Sequence, residues 1–313
     1  MNKVRKGDVE LKSDIRSEFV KEYSRSRIIS DTSLNSLLNK VERIECVKKK
    51  SIIEFSESEI IEMFKSFNLT SVNTLQNYNN YLKAYCDFVI YKTRDGVNSF
   101  KEINKDMLKA CVNEDLKRNK YISYEQLQEI ECELLNYTDI AILECLWNGI
   151  AGKELSDLTY LERRQVDKKR MEITFNDNRI VKIYPRLYDI LNMAFNENEC
   201  VCYGEDVKVK RVFGDGQLYK VRENAYKDND SIRFRWVYRK IMIIREYVGL
   251  PFLSMKSLQG SGMLHYIKQG MKDADCGLRE FLNTENGSKI MDQYGFVNEN
   301  RVHIVYDKFA EYV

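Results

Sequence analysis

A chain of 313 residues is long enough for two domains of ordinary size, each burying its own core. Hydrophobic residues at 43% and charged residues at 31% exclude the composition of an intrinsically disordered segment, and no stretch has the apolar length of a bilayer span. The formal net charge of +2 gives no overall basic excess, so any affinity for a polyanion has to come from local clustering.

The first residues, MNKVRKGDVELKSDIRSEF, are basic but lead into no apolar core, so they do not read as a cleavable signal. A cytoplasmic protein is expected. The 8 cysteines lie among apolar neighbours, as at Cys86, Cys111 and Cys145, and are expected to be reduced. Cys200 and Cys202 are the one close pair, and His265 and His303 are distant from it, so the usual zinc spacings are absent. No metal or cofactor is expected.

Only Pro185 and Pro251 are prolines, and most apolar residues recur at helical spacing. Residues 1–50 read as a basic helical arm, its second helix opening at Asp31-Thr32-Ser33 and carrying Leu34, Leu37, Leu38, Val41 and Ile44 on one face. A helix with Ile60, Ile61, Met63, Phe64 and Phe67 is predicted over 56–68. A longer one over 71–93 carries Leu75, Tyr78, Leu82, Cys86 and Val89, with Asn73, Asn77, Asn80 and Lys83 on its other side. Arg94-Asp95-Gly96 reads as a turn, and 103–116 as a fourth helix. These form a helical domain over 51–120.

A second domain, 121–313, opens with Ser123 as the N-cap of a helix through Leu135, followed by an apolar helix over 140–147. Met171 to Phe175 and Arg179 to Tyr184 have β-type composition around Asn176-Asp177-Asn178, which predicts a hairpin. A strand-like stretch from Val207 to Val221 turns at Gly214-Asp215-Gly216, and everything after Asp230 reads as helix. The fold class is mainly α with a small antiparallel β-sheet.

Charge is unevenly placed. From Ser231 to Lys272 eight bases stand against the single acid Glu246, whereas Asp273 to Val313 holds eight acids against four bases. Within the helix opening near Ser231, Val237, Ile241, Ile244 and Val248 form an apolar stripe. Arg235 and Arg239 project opposite to it, flanked by Arg233 and Lys240. Further bases surround the hairpin, among them Lys182 and Arg186.

Several motifs, taken in order, resemble those of the phage integrases and other tyrosine recombinases. Thr74-Leu75-Gln76-Asn77-Tyr78 followed by Leu82 is similar to the family's helical, SAM-like core-binding module. Leu146-Trp147-Asn148-Gly149-Ile150-Ala151-Gly152-Lys153-Glu154-Leu155 followed by Leu158 resembles the family's Thr-Gly-Leu-Arg-x-x-Glu-Leu box, and Leu258 through Gly270, with His265, matches the frame of its His-x-Leu-Arg helix. The resemblance spans about 56–294. It implies a catalytic-type domain in which a tyrosine attacks a DNA phosphate while arginines, histidine and lysine hold charge and move protons.

The family's charged catalytic positions are replaced in this chain. The first arginine position falls on Ala151, with Lys153 two residues out of frame, and the hairpin lysine position falls around Asn176 to Asn178. The His-x-x-Arg pair falls on Lys256 and Gln259, the later histidine near Asn283 or Thr284, and the nucleophile on Tyr294. Losing one preorganised donor costs ~10²–10³ in rate, so an enzyme is not expected.

What the resemblance then implies is a DNA clamp without chemistry, similar to the recombinase-like lysogeny master repressors of SPbeta-type Bacillus phages. On that reading the chain is a prophage transcriptional repressor binding a double-stranded operator, with a phage protein or peptide as a possible antagonist. Arg233, Arg235, Arg239, Lys240, Lys256, Gln259, Lys182, Arg186, Asn77 and Lys83 are its candidate DNA contacts. The last segment carries Val302, Val305, Phe309 and Tyr312 on one face, which either docks on a second copy, giving a homodimer on DNA, or packs on its own domain. Two other readings stay open: an active site-specific recombinase using Tyr294, and a protein-interaction module that has left DNA.

Overall fold

A computed structural model describes residues 6–26, 30–204, 208–221 and 229–313, the side chains of 6–13 and 26 excepted. The chain divides into two units, Met1–Arg118 and Asn119–Val313.

The first unit is all helical: α1 (Lys6–Ser26), α2 (Asp31–Lys48), α3 (Glu57–Ser66), α4 (Val72–Thr93), α5 (Lys105–Lys109) and α6 (Glu114–Arg118). Serines set three of the helix starts, because each hydroxyl accepts from an otherwise orphaned backbone N–H: Ser30 from Ser33, Ser56 from Glu59 and Ser71 from Thr74. The predicted arm is not set apart. Phe19 and Val20 of α1 and Leu34, Leu37, Leu38 and Val41 of α2 share one buried cluster with Ile60, Phe64, Leu75 and Leu82. The single helix expected over 103–116 is two short ones, since the Asn113 amide leaves the helical pattern to donate to the Leu69 carbonyl at 2.9 Å. The Asn113 side chain then accepts from Leu116 at 2.9 Å to start α6.

The second unit begins with α7 (Tyr124–Glu133), capped by Ser123 as expected, and α8 (Tyr137–Trp147), a helix buried on nearly every side. A short α9 (Ser156–Thr159) leads to a three-stranded antiparallel sheet of β1 (Val166–Asp167), β2 (Glu172–Thr174) and β3 (Ile180–Lys182). The predicted hairpin is β2–β3, with Ile173 opposite Val181 and Asn178 taking the left-handed turn conformation at φ 63°. β1 is an addition to it. Then come α10 (Pro185–Asn196), a helix that the strand and turn signals around it do not announce, and a second sheet of β4 (Glu199–Cys202) and β5 (Lys208–Arg211). Of the expected strand over 207–221, Val207 lies outside the described residues. The rest is strand only to Arg211, with an isolated bridge from Phe213 to Val221.

Five helices complete the unit: α11 (Asp230–Tyr247), α12 (Met255–Ala274), α13 (Leu278–Leu282), α14 (Glu285–Gln293) and α15 (Arg301–Phe309). α8 is its axis, packed by α10 and α12. The approach of α12 depends on Gly262, where an added Cβ would lie 1.8 Å from the Trp147 carbonyl oxygen. A separate cluster of Met263, Ile267, Phe281, Met291, Val305 and Phe309 joins α12 through α15. No helix among the described residues is long and apolar enough to cross a membrane.

Candidate nucleic-acid interface

The turn after α8 is built for backbone, not for a cationic side chain. Gly149 and Gly152 take φ of 70° and 69°, Glu154 and Leu155 are also left-handed, and Ala151 is buried with its carbonyl accepting from Asp157 at 3.0 Å. Lys153, beside it, is exposed. At the hairpin tip, Asn176, Asp177 and Asn178 are exposed turn residues. The neighbouring Arg179 stacks 4.7 Å from the Phe175 ring and is ion-paired to Asp157.

Thr284, one of the two residues expected near the later histidine position, is an N-cap. Its oxygen accepts from Gly287 at 3.1 Å, starting α14, while the hydroxyl donates to the Phe281 carbonyl at 2.7 Å, closing α13. His265 packs against the rings of both Tyr124 and Trp147, 5.5 and 5.6 Å away, and burial lowers its pKa. The Tyr294 hydroxyl donates to the Trp147 carbonyl. Burial first, and then neighbouring Tyr266, hold that phenol well above its ordinary pKa, the wrong direction for a nucleophile. Lys256 is exposed and Gln259 half-buried on the first turns of α12. Both border a cavity of about 280 Å³ that also includes Tyr294.

The basic helix α11 has two faces of opposite use. Val237, Ile241 and Ile244 are buried in the main core of the unit, while Arg235 and Arg239 are exposed. Among the described residues Arg235 is tethered only by a 3.0 Å bond to Ser231 on its own helix. Alternating with these arginines are the exposed aromatics Phe234 and Tyr238, 38% and 49% accessible, which a count of charges alone does not reveal. Their i, i+4 spacing beside the arginines was the available signal.

Three predicted contacts are instead consumed by the fold. Arg233 is buried, donating to the Thr159 carbonyl at 2.7 Å with its guanidinium 4.1 Å from the Tyr160 ring centre and 4.5 Å from that of Tyr219. Lys240 is ion-paired to buried Asp139 at 2.8 Å. Arg186 pairs with Glu131 and, at 3.3 Å, with Glu144, both buried carboxylates. The sequence could not separate these from Arg235 and Arg239, because the partners Thr159, Asp139, Glu131 and Glu144 lie 42 to 101 residues away on other helices.

Lys182 is exposed at the end of β3. In the first unit Asn77 is exposed on α4 and Lys83 half-buried. In the tail, Val305 and Phe309 are fully buried against their own unit and Tyr312 meets Tyr121 at 4.8 Å, the second of the two placements expected for that face.

Comparison with known proteins adds a family. Residues 121–311 match the model described as "MrpR, C-terminal catalytic domain", and residues 11–92 the one described as "MrpR, N-terminal core-binding domain". The chain is 23% identical over 317 residues to the SPbeta prophage-derived uncharacterized protein YopR of Bacillus subtilis (strain 168), covering 94% of this chain and 96% of that protein. Among solved structures it is similar to XerA recombinase, at 14% identity and a TM-score of 0.35 over 95% of this chain and 98% of that one. It is also similar to the Tn1549 transposon integrase in complex with circular intermediate DNA, at 15% identity and a TM-score of 0.40 over 93% and 98%. The family models, which together take in most of the sequence, carry the assignment: the chain belongs to the MrpR family, with its paired core-binding and catalytic-type domains.

Proposed function

We propose that this protein is a sequence-specific double-stranded DNA-binding regulator, a transcriptional repressor of prophage genes, that uses a recombinase-type scaffold without breaking DNA. The observation that carries the reading is the outer face of α11, where Arg235 and Arg239 have no acidic partner among the described residues and are interleaved with exposed Phe234 and Tyr238. Cations that hold no internal ion pair are available to phosphates and guanine edges, and aromatic faces beside them suit sugar and base contact. Lys182, Asn77, Lys256 and Gln259 remain secondary contacts on this reading. Ala151 and the capping role of Thr284 support the absence of chemistry, and so does the phenol of Tyr294 held on a backbone carbonyl.

The test is genome-wide recovery of bound DNA followed by a mobility-shift titration on the recovered sites at several salt concentrations. A repressor of this kind binds a discrete site, loses affinity steeply with salt, and lowers transcription from the adjoining promoter. Binding without sequence preference or salt dependence overturns the proposal. One observation favours a second reading, an active recombinase: Tyr294 borders the same cavity as Lys256 and Gln259. A nicked suicide substrate decides it, since a covalent protein–DNA adduct that disappears in Tyr294→Phe establishes the enzyme and removes the repressor-only reading.

A further inference from the structure

The cavity of about 280 Å³ beside α12 collects three lysines from three separate places in the chain: Lys120 just before α7, Lys256 on α12 and Lys308 on α15. Its lining has no carboxylate, and among the described residues no acid pairs with any of the three. The same lining holds two uncharged side chains with donors, Gln259 and Tyr121, and the Tyr121 hydroxyl is sealed from solvent with no hydrogen-bond partner among the described residues.

The arrangement is unfavourable as it stands. A buried hydroxyl without a partner is destabilising, and like charges gathered in a partly enclosed space repel one another. The strain is visible at Lys308, whose ammonium is pulled down to about 8 by burial first and then by Lys120 and Lys256. Burial likewise lowers Lys120. Aromatic rings compensate in part: Lys308 lies 5.3 Å from the Phe296 ring centre and 4.9 Å from that of Phe309, and Lys120 lies 5.2 Å from that of Tyr121. A ligand that supplies negative charge and acceptor oxygens resolves the whole set.

We propose that this cavity is a binding site for a soluble phosphomonoester, held by Lys120, Lys256 and Lys308 with Gln259 and the Tyr121 hydroxyl as neutral donors. Three cations and two neutral donors suit a dianion with several acceptor oxygens better than a carboxylate, which brings one charge and two oxygens. The volume exceeds that of a bare phosphate, and Met263 and Phe296 give an apolar wall for an organic remainder. Because Lys308 belongs to α15, the occupied site ties the C-terminal helix to α12, so the ligand stabilises the docked tail. The inference goes beyond the DNA-binding proposal: it uses none of the α11 residues on which that proposal stands, and assigns Lys256 and Gln259, secondary contacts there, to the soluble ligand instead.

The experiment is carried out on the full chain without DNA. Thermal unfolding and phosphorus NMR line broadening are followed during titration with inorganic phosphate, ribose 5-phosphate and dimethyl phosphate, with ionic strength held constant by chloride. Expected are saturable stabilisation and broadening by the first two, at least tenfold weaker binding of the monoanionic diester, and a loss of at least tenfold in phosphate affinity in both Lys308→Gln and Lys120→Gln. Lys289→Gln, which alters only a surface pair with Glu285, retains wild-type binding. Two variants are used so that a folding defect in one leaves the other decisive. Absence of a saturable response, or undiminished phosphate binding in the two cavity variants, overturns the site. Equal binding of dimethyl phosphate overturns the soluble ligand and assigns the seat to a DNA backbone phosphate.

Discussion

Lys240 Nζ stands 2.8 Å from the carboxylate of Asp139, a residue with no solvent exposure, and the pair links α11 to α8. The other Asp139 oxygen accepts from Asn136 and Tyr203, each at 2.8 Å. Burial alone lowers a lysine pKa, yet Asp139 and Cys200 outweigh it and hold Lys240 above its ordinary value, so the charge is kept inside. Removing one partner of such a pair leaves an uncompensated ion and costs ~3–5 kcal/mol. Lys240→Met is therefore expected to lower unfolding stability by roughly that amount in denaturant titration, with little direct effect on DNA affinity below its melting range. A stable Lys240→Met protein that binds DNA poorly would place the inner side of α11 at the interface instead.

On the outer side the expectation reverses. Arg235→Ala and Arg239→Ala change exposed residues, so stability stays within about 0.5 kcal/mol. The salt dependence of DNA binding falls by about one unit in log–log slope for each phosphate that a removed arginine had neutralised. Arg233→Ala serves as the internal contrast. It removes the donor to the Thr159 carbonyl and the stacking on Tyr160 and Tyr219, and it lowers the melting temperature without altering the salt slope. Equal salt slopes for all three variants would show that the distinction between the two faces has no bearing on DNA.

The contact between α8 and α12 is close enough that one methyl group tests it. A Cβ at Gly262 would meet both the Trp147 carbonyl oxygen, at 1.8 Å, and the Tyr294 hydroxyl, at 2.7 Å. Gly262→Ala forces the helices apart and is expected to cost at least ~1–3 kcal/mol. Tyr294→Phe keeps the packing but deprives the Trp147 carbonyl of its donor, for a smaller loss of ~1 kcal/mol. Thermal melts of the two variants order these effects. A Gly262→Ala protein as stable as wild type would refute the close approach.

What could be read from the sequence was whatever local pattern dictates. Ser123 and Ser56 announce helix starts, Asn176 to Asn178 announce a hairpin, and the spacing of Val237, Ile241 and Ile244 announces the buried side of α11. Partner choice was not legible. Arg233, Arg235, Arg239 and Lys240 sit within eight positions, and only the tertiary fold assigns two of them to Thr159 and Asp139 and two to solvent. The lysine-lined cavity was hidden for the same reason: Lys120 reads as a domain boundary and Lys308 sits in an acidic tail, so nothing local links them. For α10 the signals were present, since Pro185 at its first turn and its apolar periodicity are ordinary marks of a helix, but the β-type residues just before it dominate the reading.

Arg186 lies against two carboxylates that have almost no exposure, Glu131 at 2% and Glu144 at 0%, and one cation does not neutralise two buried anions. Burial, followed by repulsion from Glu144, raises the Glu131 carboxyl to about 8 against the partial compensation of Arg186. One Glu131 oxygen has no hydrogen-bond partner, as suits a carboxyl that keeps its proton. With the folded pKa above the unfolded one, this group contributes stability fully below the unfolded value, near ~4.3, and the contribution is lost as pH rises through about 8. Wild-type stability is thus expected to decline between pH 5 and pH 9 by a few kcal/mol more, to order of magnitude, than that of Glu131→Gln, which carries the neutral form at every pH. Arg186→Gln steepens the decline, because the remaining pair then lacks its cation. Denaturant titrations at half-unit pH steps give the comparison, and parallel pH profiles for wild type and Glu131→Gln would mean that Glu131 is ionised in the folded protein throughout.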